Sequence, residues 1–145
     1  MKKFGILMIV AAFFGLASCS SLTNTAASTP AGTEGATCAR ALVGLYNSQK
    51  TNGTISITNT ADLGNILAVI NSYNQLKANK ADETYKTNFA TGMVTGGGNI
   101  ITSANATSIM NSLLNSTGLA NVNAANIAQN AQTVAAIVTL LKALK

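Results

Sequence analysis

Apolar residues recur at intervals of three and four along most of the chain, beginning at residue 38. This spacing places them on one face of an α-helix. The first face predicts a helix over about residues 35–48. Its members are Cys38, Ala41, Leu42, Leu45 and Tyr46. Because a helix with one apolar face must bury it against another element, several such helices predict a bundle.

The second and third helices have start and stop signals as well as apolar faces. Asn59 or Thr60 is expected to cap the second helix, which has Asp62 in its first turn and runs to about Ala78. The acidic pair at residues 82–83 favours the start of the third helix, and the glycines at 96–98 its end. The predicted buried faces are Leu63, Ile66, Leu67, Ile70 and Tyr73 for the second helix, and Tyr85, Phe89 and Met93 for the third.

Two further helices complete the predicted fold. The fourth is expected to have Thr102 or Ser103 as its cap and to end at Gly118, with Ile109, Met110, Leu113 and Leu114 on its apolar face. The fifth is predicted from about residue 122 to 144, and its nearly uniform apolar end suggests a place at the centre of the bundle. Residues 52–58 alternate like a short strand but define no sheet alone. The predicted fold class is therefore all-α, a small bundle of four to five short amphipathic helices.

The N-terminus has the three parts of a secretory signal. Lys2 and Lys3 precede an apolar run from Phe4 to Gly15, and small residues stand just before Cys19. A helix over residues 4–18 is shorter than the roughly 20 residues that a membrane-spanning helix needs. The segment is therefore interpreted as a signal peptide.

The residues Leu16-Ala17-Ser18-Cys19 resemble the lipobox of bacterial lipoprotein precursors. The resemblance covers the first 19 residues, and no family is recognised for the rest of the chain. It implies cleavage before Cys19, a diacylglyceryl group on the Cys19 thiol, and acylation of the new amine by a fatty acid such as palmitate. An ordinary secretory signal with a chance cysteine is the alternative. In lipoproteins of enterobacterial type an aspartate directly after the modified cysteine favours inner-membrane retention, whereas Ser20 and Ser21 follow here. The resemblance therefore implies the outer membrane and a periplasm-facing domain.

These features divide the chain into three parts. Residues 1–18 are predicted to be the lipoprotein signal peptide, and residues 19–33 the lipidated cysteine with a flexible N-terminal tether of small and polar residues. Residues 34–145 are predicted to be the helical domain. With Lys2 and Lys3 removed, seven basic and four acidic side chains leave a net charge of +3. This mild excess, without a basic cluster, argues against nucleic acid as a partner.

The composition offers little for catalysis. The chain has no histidine and only four carboxylates, Glu34, Asp62, Asp82 and Glu83, so general acid–base candidates are few. Cys38 lacks an imidazole to activate it and is interpreted as a buried structural thiol. No zinc, copper or calcium ligand spacing is present. The sequence therefore predicts no enzyme, no catalytic residue, no cofactor and no metal site.

Two polar stretches each allow a structural and a functional interpretation. Residues 92–99, with four glycines, resemble a phosphate cradle only in glycine content, and helix termination is favoured. Thr84, Thr87, Thr91 and Thr95 lie on one side of the third helix. Their hydroxyls are interpreted as a solvated face, with contact to a carbohydrate or another polar surface as the alternative.

Two functions from different classes follow from these observations. The first is a lipid-anchored, non-enzymatic structural or interaction module of the bacterial envelope, attached to the membrane through Cys19 and able to meet an envelope protein. The alternative is a periplasmic carrier or sensor of a small apolar ligand, held between the fifth helix and Tyr73, Tyr85 and Phe89. An enzyme using Cys38 or a Ser/Lys pair is a distant third.

Overall fold

The computed structural model describes residues 28–144, which form five α-helices and two short 3-10 turns. No strand occurs within that range, so the all-α prediction is confirmed. The helices are α1 (Pro30–Asn52), α2 (Thr60–Ala78), α3 (Glu83–Gly96), α4 (Ala106–Leu114) and α5 (Ala131–Lys142); the 3-10 turns are Thr117–Leu119 and Ile127–Gln129.

Helix α1 is longer than the sequence predicts at both ends. Pro30 occupies its first turn, where no backbone N–H is needed, and Thr29 Oγ1 accepts a hydrogen bond of 3.0 Å from the Gly32 N–H. Residues 30–33, which are predicted from the sequence to lie in the tether, therefore belong to the helix. At the other end, Gly53 adopts a left-handed conformation with φ 77°, and its N–H donates to Gln49 O at 2.8 Å.

The first three helices run up, down and up, with α1 in contact with both others. Ser72 of α2 lies beside Glu34 of α1, and Asn65 lies beside Gly44, so these two helices are antiparallel. Their core side chains are fully buried. Among the largest are Leu42, Leu45, Ile66, Ile70, Leu76, Phe89 and Met93.

Helices α1 and α3 approach so closely that their backbones touch. A Cβ atom added to Gly92 would overlap the carbonyl oxygen of Gly32, and one added to Gly35 would overlap that of Phe89. A Cβ atom on Gly96 would overlap the carbonyl oxygen of Ala36. This contact, the glycine seam, allows the helices to pack without intervening side chains, as small residues four apart do elsewhere.

The strand-like alternation at residues 52–58 forms no strand: Asn52 is the last residue of α1, and residues 53–59 form a loop. Ile55 is buried in the core, while the Ser56 N–H donates to Asp62 Oδ2 at 2.9 Å. A backbone donor that a neighbouring strand would need is thus used by a side chain of α2. Asn59 caps α2 as predicted, because its Oδ1 accepts from the N–H groups of Ala61 and Asp62.

Helix α4 begins later than predicted. Its N-cap is Asn105, in place of the predicted Thr102 or Ser103, and α4 ends at Leu114 before reaching Gly118. The Asn105 side chain accepts from the Thr102 N–H at 2.8 Å and donates to Ile100 O at 3.0 Å. These bonds hold residues 100–105 in a turn and so delay the helix.

The prediction of one helix from 122 to 144 is wrong in its first part. Asn123 Oδ1 accepts from the N–H groups of Ala125 and Asn126, and these local bonds compete with helix formation. Helix α5 starts only at Ala131, and it packs mainly against the Thr117–Leu119 turn at the edge of the bundle. The predicted central position of the last helix is therefore also wrong, and α1 holds that place.

Candidate functional site

A polar cluster lies inside the packing of α1 against α2. Ser72 is fully buried, and its hydroxyl donates to Glu34 Oε2 at 3.1 Å, with Glu34 O at 3.4 Å. Cys38, one turn further along α1, is also fully buried and contacts Ser72. The cluster gives the buried hydroxyl a hydrogen-bond partner, as buried polar groups require.

This environment opposes thiolate formation at Cys38. Burial, and to a lesser extent the nearby Glu34 carboxylate, raise the pKa of the Cys38 thiol to about 12, although the hydrogen bond with Ser72 acts in the opposite direction. A nucleophilic cysteine needs a lowered pKa and access to solvent. Burial and the same carboxylate also raise the pKa of Tyr85. The surroundings of Cys38 therefore keep it protonated, as expected for a structural thiol.

A surface groove of about 500 Å³ lies between α3 and α4. We call it the α3/α4 groove. Its floor holds Ala90, Val94, Ala106 and Met110, and an ion pair between Glu83 and Lys86 lies at one end. The remaining lining residues are polar and uncharged: Thr87, Thr91, Ser103, Thr107 and Asn111.

Three threonines of the predicted stripe on α3, of which Thr87 and Thr91 line this groove, use their hydroxyl protons within the helix. Thr87 donates to Glu83 O at 2.9 Å, Thr91 donates to Thr87 O at 2.9 Å, and Thr95 donates to Thr91 O at 3.3 Å. Their oxygens can still accept a hydrogen bond, and their methyl groups are available for apolar contact. The threonine stripe is thus a weaker source of donors than its sequence indicates.

The glycines at residues 92–99 serve the fold in two ways. Gly97 follows the end of α3, and its N–H donates to Met93 O at 2.8 Å, which agrees with the predicted helix termination. Gly92 and Gly96 belong to the glycine seam. Sequence reasoning missed that second role. The signal was the four-residue spacing of Gly92 and Gly96, read together with Gly32 and Gly35.

The structure does not assemble the apolar-ligand site expected from the sequence. Tyr73 and Phe89 are buried in the packing of the first three helices, whereas α5 packs against the Thr117–Leu119 turn, α1 and α4. Tyr85 is half-buried, with its ring stacked near Phe89 at a centroid distance of 6.5 Å. The predicted pocket between the last helix and these aromatic rings is therefore not formed.

The remaining predictions concern lipidation, metal binding and membrane-spanning helices. Cys19, the predicted lipidation site, lies outside the described residues. Between residues 28 and 144 no group of three or more His, Cys, Asp or Glu side chains could hold a metal ion. None of the helices in this part of the chain combines the length and apolar character needed to span a bilayer.

Comparison with known proteins found no matching family model, no matching curated protein and no matching solved structure.

Proposed function

We propose that this protein is a bacterial lipoprotein anchored through acylated Cys19 to the outer membrane, where its helical domain faces the periplasm as a non-enzymatic structural or interaction module. The observation that carries the proposal is the lipobox-like sequence Leu16-Ala17-Ser18-Cys19 directly after an apolar segment. Two or three acyl chains would make attachment effectively permanent, since each buried methylene contributes about 0.8 kcal/mol.

The folded domain supports the non-enzymatic part of this proposal. The fully buried Cys38 is held in its thiol form, and the Glu34 carboxylate beside it accepts a hydrogen bond from Ser72. The α3/α4 groove is the best available surface for a partner. Its lining is apolar or polar and uncharged apart from the Glu83–Lys86 ion pair, whose charges cancel, and it suits a partner that brings little charge, such as a protein of the envelope.

The anchor is tested by replacing Cys19 with Ser in bacteria that are fed radiolabelled palmitate. We expect the label to be lost and the processed domain to leave the membrane fraction. Cys38→Ala is the matched control, because it removes the other cysteine of the chain and should keep both label and membrane attachment. An exported, processed Cys19→Ser protein that stays with the membranes would contradict the lipid anchor.

The α3/α4 groove favours a second candidate function, that of a carrier or sensor of a small ligand. A volume of about 500 Å³ falls in the range of ligand sites. The groove is open, so a purely apolar ligand would leave much of its surface in water. Native mass spectrometry of residues 20–145, purified from the periplasm without detergent, tests this candidate. A reproducible added mass supports it, and a bare chain mass supports the interaction module.

A further inference from the structure

The end of α1 joins an exposed asparagine to an exposed glycine. Asn52 is the last residue of the helix, and Gly53 follows it with φ 77°. Of the 17 asparagines in the chain, Asn52 alone is followed by glycine. The missing side chain of glycine leaves its backbone nitrogen unhindered and its backbone free to change conformation.

This pair can undergo a reaction that requires only water. The Gly53 backbone nitrogen loses its proton and attacks the side-chain carbonyl carbon of Asn52, which forms a carbon–nitrogen bond and expels the side-chain amide as ammonia. The product is a five-membered succinimide. Water then opens either of its carbonyls, which leaves aspartate or isoaspartate at position 52 with no change in oxidation state.

The folded structure slows this reaction but does not prevent it. The Gly53 N–H donates to Gln49 O at 2.8 Å, and the Asn52 amide donates to Ser48 Oγ at 3.4 Å. Both bonds must break before the nitrogen can attack, and Asn52 must leave its helical conformation. The last turn of a helix opens most readily, and residues 50–53 at the end of this one are exposed.

We propose that Asn52 is a self-modification site, converted through a succinimide to aspartate or isoaspartate at a rate set by opening of the last turn of α1. Conversion places a new carboxylate at the negative end of the helix, where a negative charge is unfavourable. It lies two residues from Lys50, which lines a groove of about 410 Å³ together with Tyr46, Gln49, Leu141 and Lys142. Modification would therefore weaken the end of α1 and lower the positive charge beside this groove.

The test is incubation of the full chain, purified in detergent, in ¹⁸O-labelled water at mildly alkaline pH, followed by tryptic digestion and tandem mass spectrometry. We expect ¹⁸O incorporation and isoaspartate at Asn52, ahead of every other asparagine. Asn115 is the internal comparison, because it is also exposed at a helix end but precedes Ser116. The same incubation in urea should raise the rate at Asn52 at least about threefold, since unfolding removes the restraint.

Three outcomes would overturn the proposal. One is an unmodified Asn52 in the folded chain after the urea sample has converted. Another is conversion of Asn115 as fast as that of Asn52. Equal rates with and without urea would show that opening of the last turn of α1 does not set the rate of conversion. Asn52→Gln, which should show no conversion at position 52, checks that the measured isoaspartate belongs to this residue.

Discussion

At the scale of single residues, Cys38 shows how burial decides chemistry. Its side chain is fully enclosed between α1 and α2, and its pKa is raised to about 12 by that burial and by Glu34. A raised pKa in the folded state also links this residue to stability. Below pH 9 both folded and unfolded chains hold the thiol proton, so the stabilising effect is complete there.

The expected result is a loss of stability at alkaline pH. Between pH 9, the ordinary value, and about 12 the unfolded chain releases the thiol proton while the folded chain keeps it. The free energy of unfolding should then fall by about 1.4 kcal/mol per pH unit from this residue. Urea unfolding at pH 9 and at about pH 11 measures how steeply the free energy of unfolding falls with pH. In Cys38→Ala this free energy should fall less steeply, and an equal fall in the two proteins would show that Cys38 is not its cause.

Asp62 is a second residue whose neighbourhood makes a clear prediction. It is 4 % exposed, lies in the first turn of α2 and accepts from the Ser56 N–H at 2.9 Å. Asp62→Ala would leave that donor without a partner, and we expect a loss of about 1–2 kcal/mol in unfolding free energy. Asp62→Asn keeps a carbonyl oxygen as acceptor and should lose less. Chemical denaturation of the three proteins provides the comparison, and an order in which Asn is the worse replacement would count against this role.

At the scale of the elements, the glycine seam holds α1 against α3. The two helices touch through backbone atoms at Gly32, Gly35, Gly92 and Gly96. An alanine there must push the helices apart, and the core side chains beside the seam, such as Phe89 and Met93, would lose their close packing. Propensity and packing therefore act in opposite directions at these positions.

Gly92→Ala should destabilise the protein by roughly 2–3 kcal/mol, despite the better helix propensity of alanine. Gly64→Ala is the matched control. Gly64 also lies inside a helix, but a Cβ atom there would meet nothing within 4 Å. That change should stabilise the protein by up to about 1 kcal/mol. Thermal unfolding of both variants gives the comparison, and a stabilising Gly92→Ala would show that the helices do not approach this closely.

The helix ends explain which elements could be predicted from the sequence. Asn59 and Asp82 accept hydrogen bonds from backbone N–H groups of the helices they precede, and α3 ends at Gly96 within the predicted run of glycines, so these boundaries could be predicted from the sequence. The start of α5 could not be predicted from its apolar period, because the bonds of Asn123 and Asn126 to nearby backbone groups override it. The polar cluster and the α3/α4 groove depend on how separate helices pair, which periodicity does not specify.

At the scale of the whole molecule, stability is concentrated in α1, α2 and α3. These helices share the closest packing, while α5 and the loop at residues 120–130 lie at the edge. Only one ion pair, Glu83 with Lys86, occurs in the described part of the chain, so burial is the main source of stability there.

Hydrogen exchange should follow this division. We expect the amides of α1 and α3 along the glycine seam to exchange slowest, because opening them requires the whole bundle to unfold. Amides of residues 120–130 and the first turn of α5 should exchange fastest. Mass-spectrometric exchange on the intact domain tests this order. Uniform protection across all five helices would instead indicate that α5 is part of a single cooperative unit.

The glycine seam also gives the fold a sequence signature that is independent of its surface. The glycines of the seam that exclude a side chain are Gly35 near the start of α1 and, 57 and 61 positions later, Gly92 and Gly96 at the end of α3. Because these three positions exclude a side chain on steric grounds, divergent relatives should keep this spacing while their apolar and polar residues exchange freely. A pattern of three glycines at these intervals could then detect kinship that overall residue identity no longer reveals.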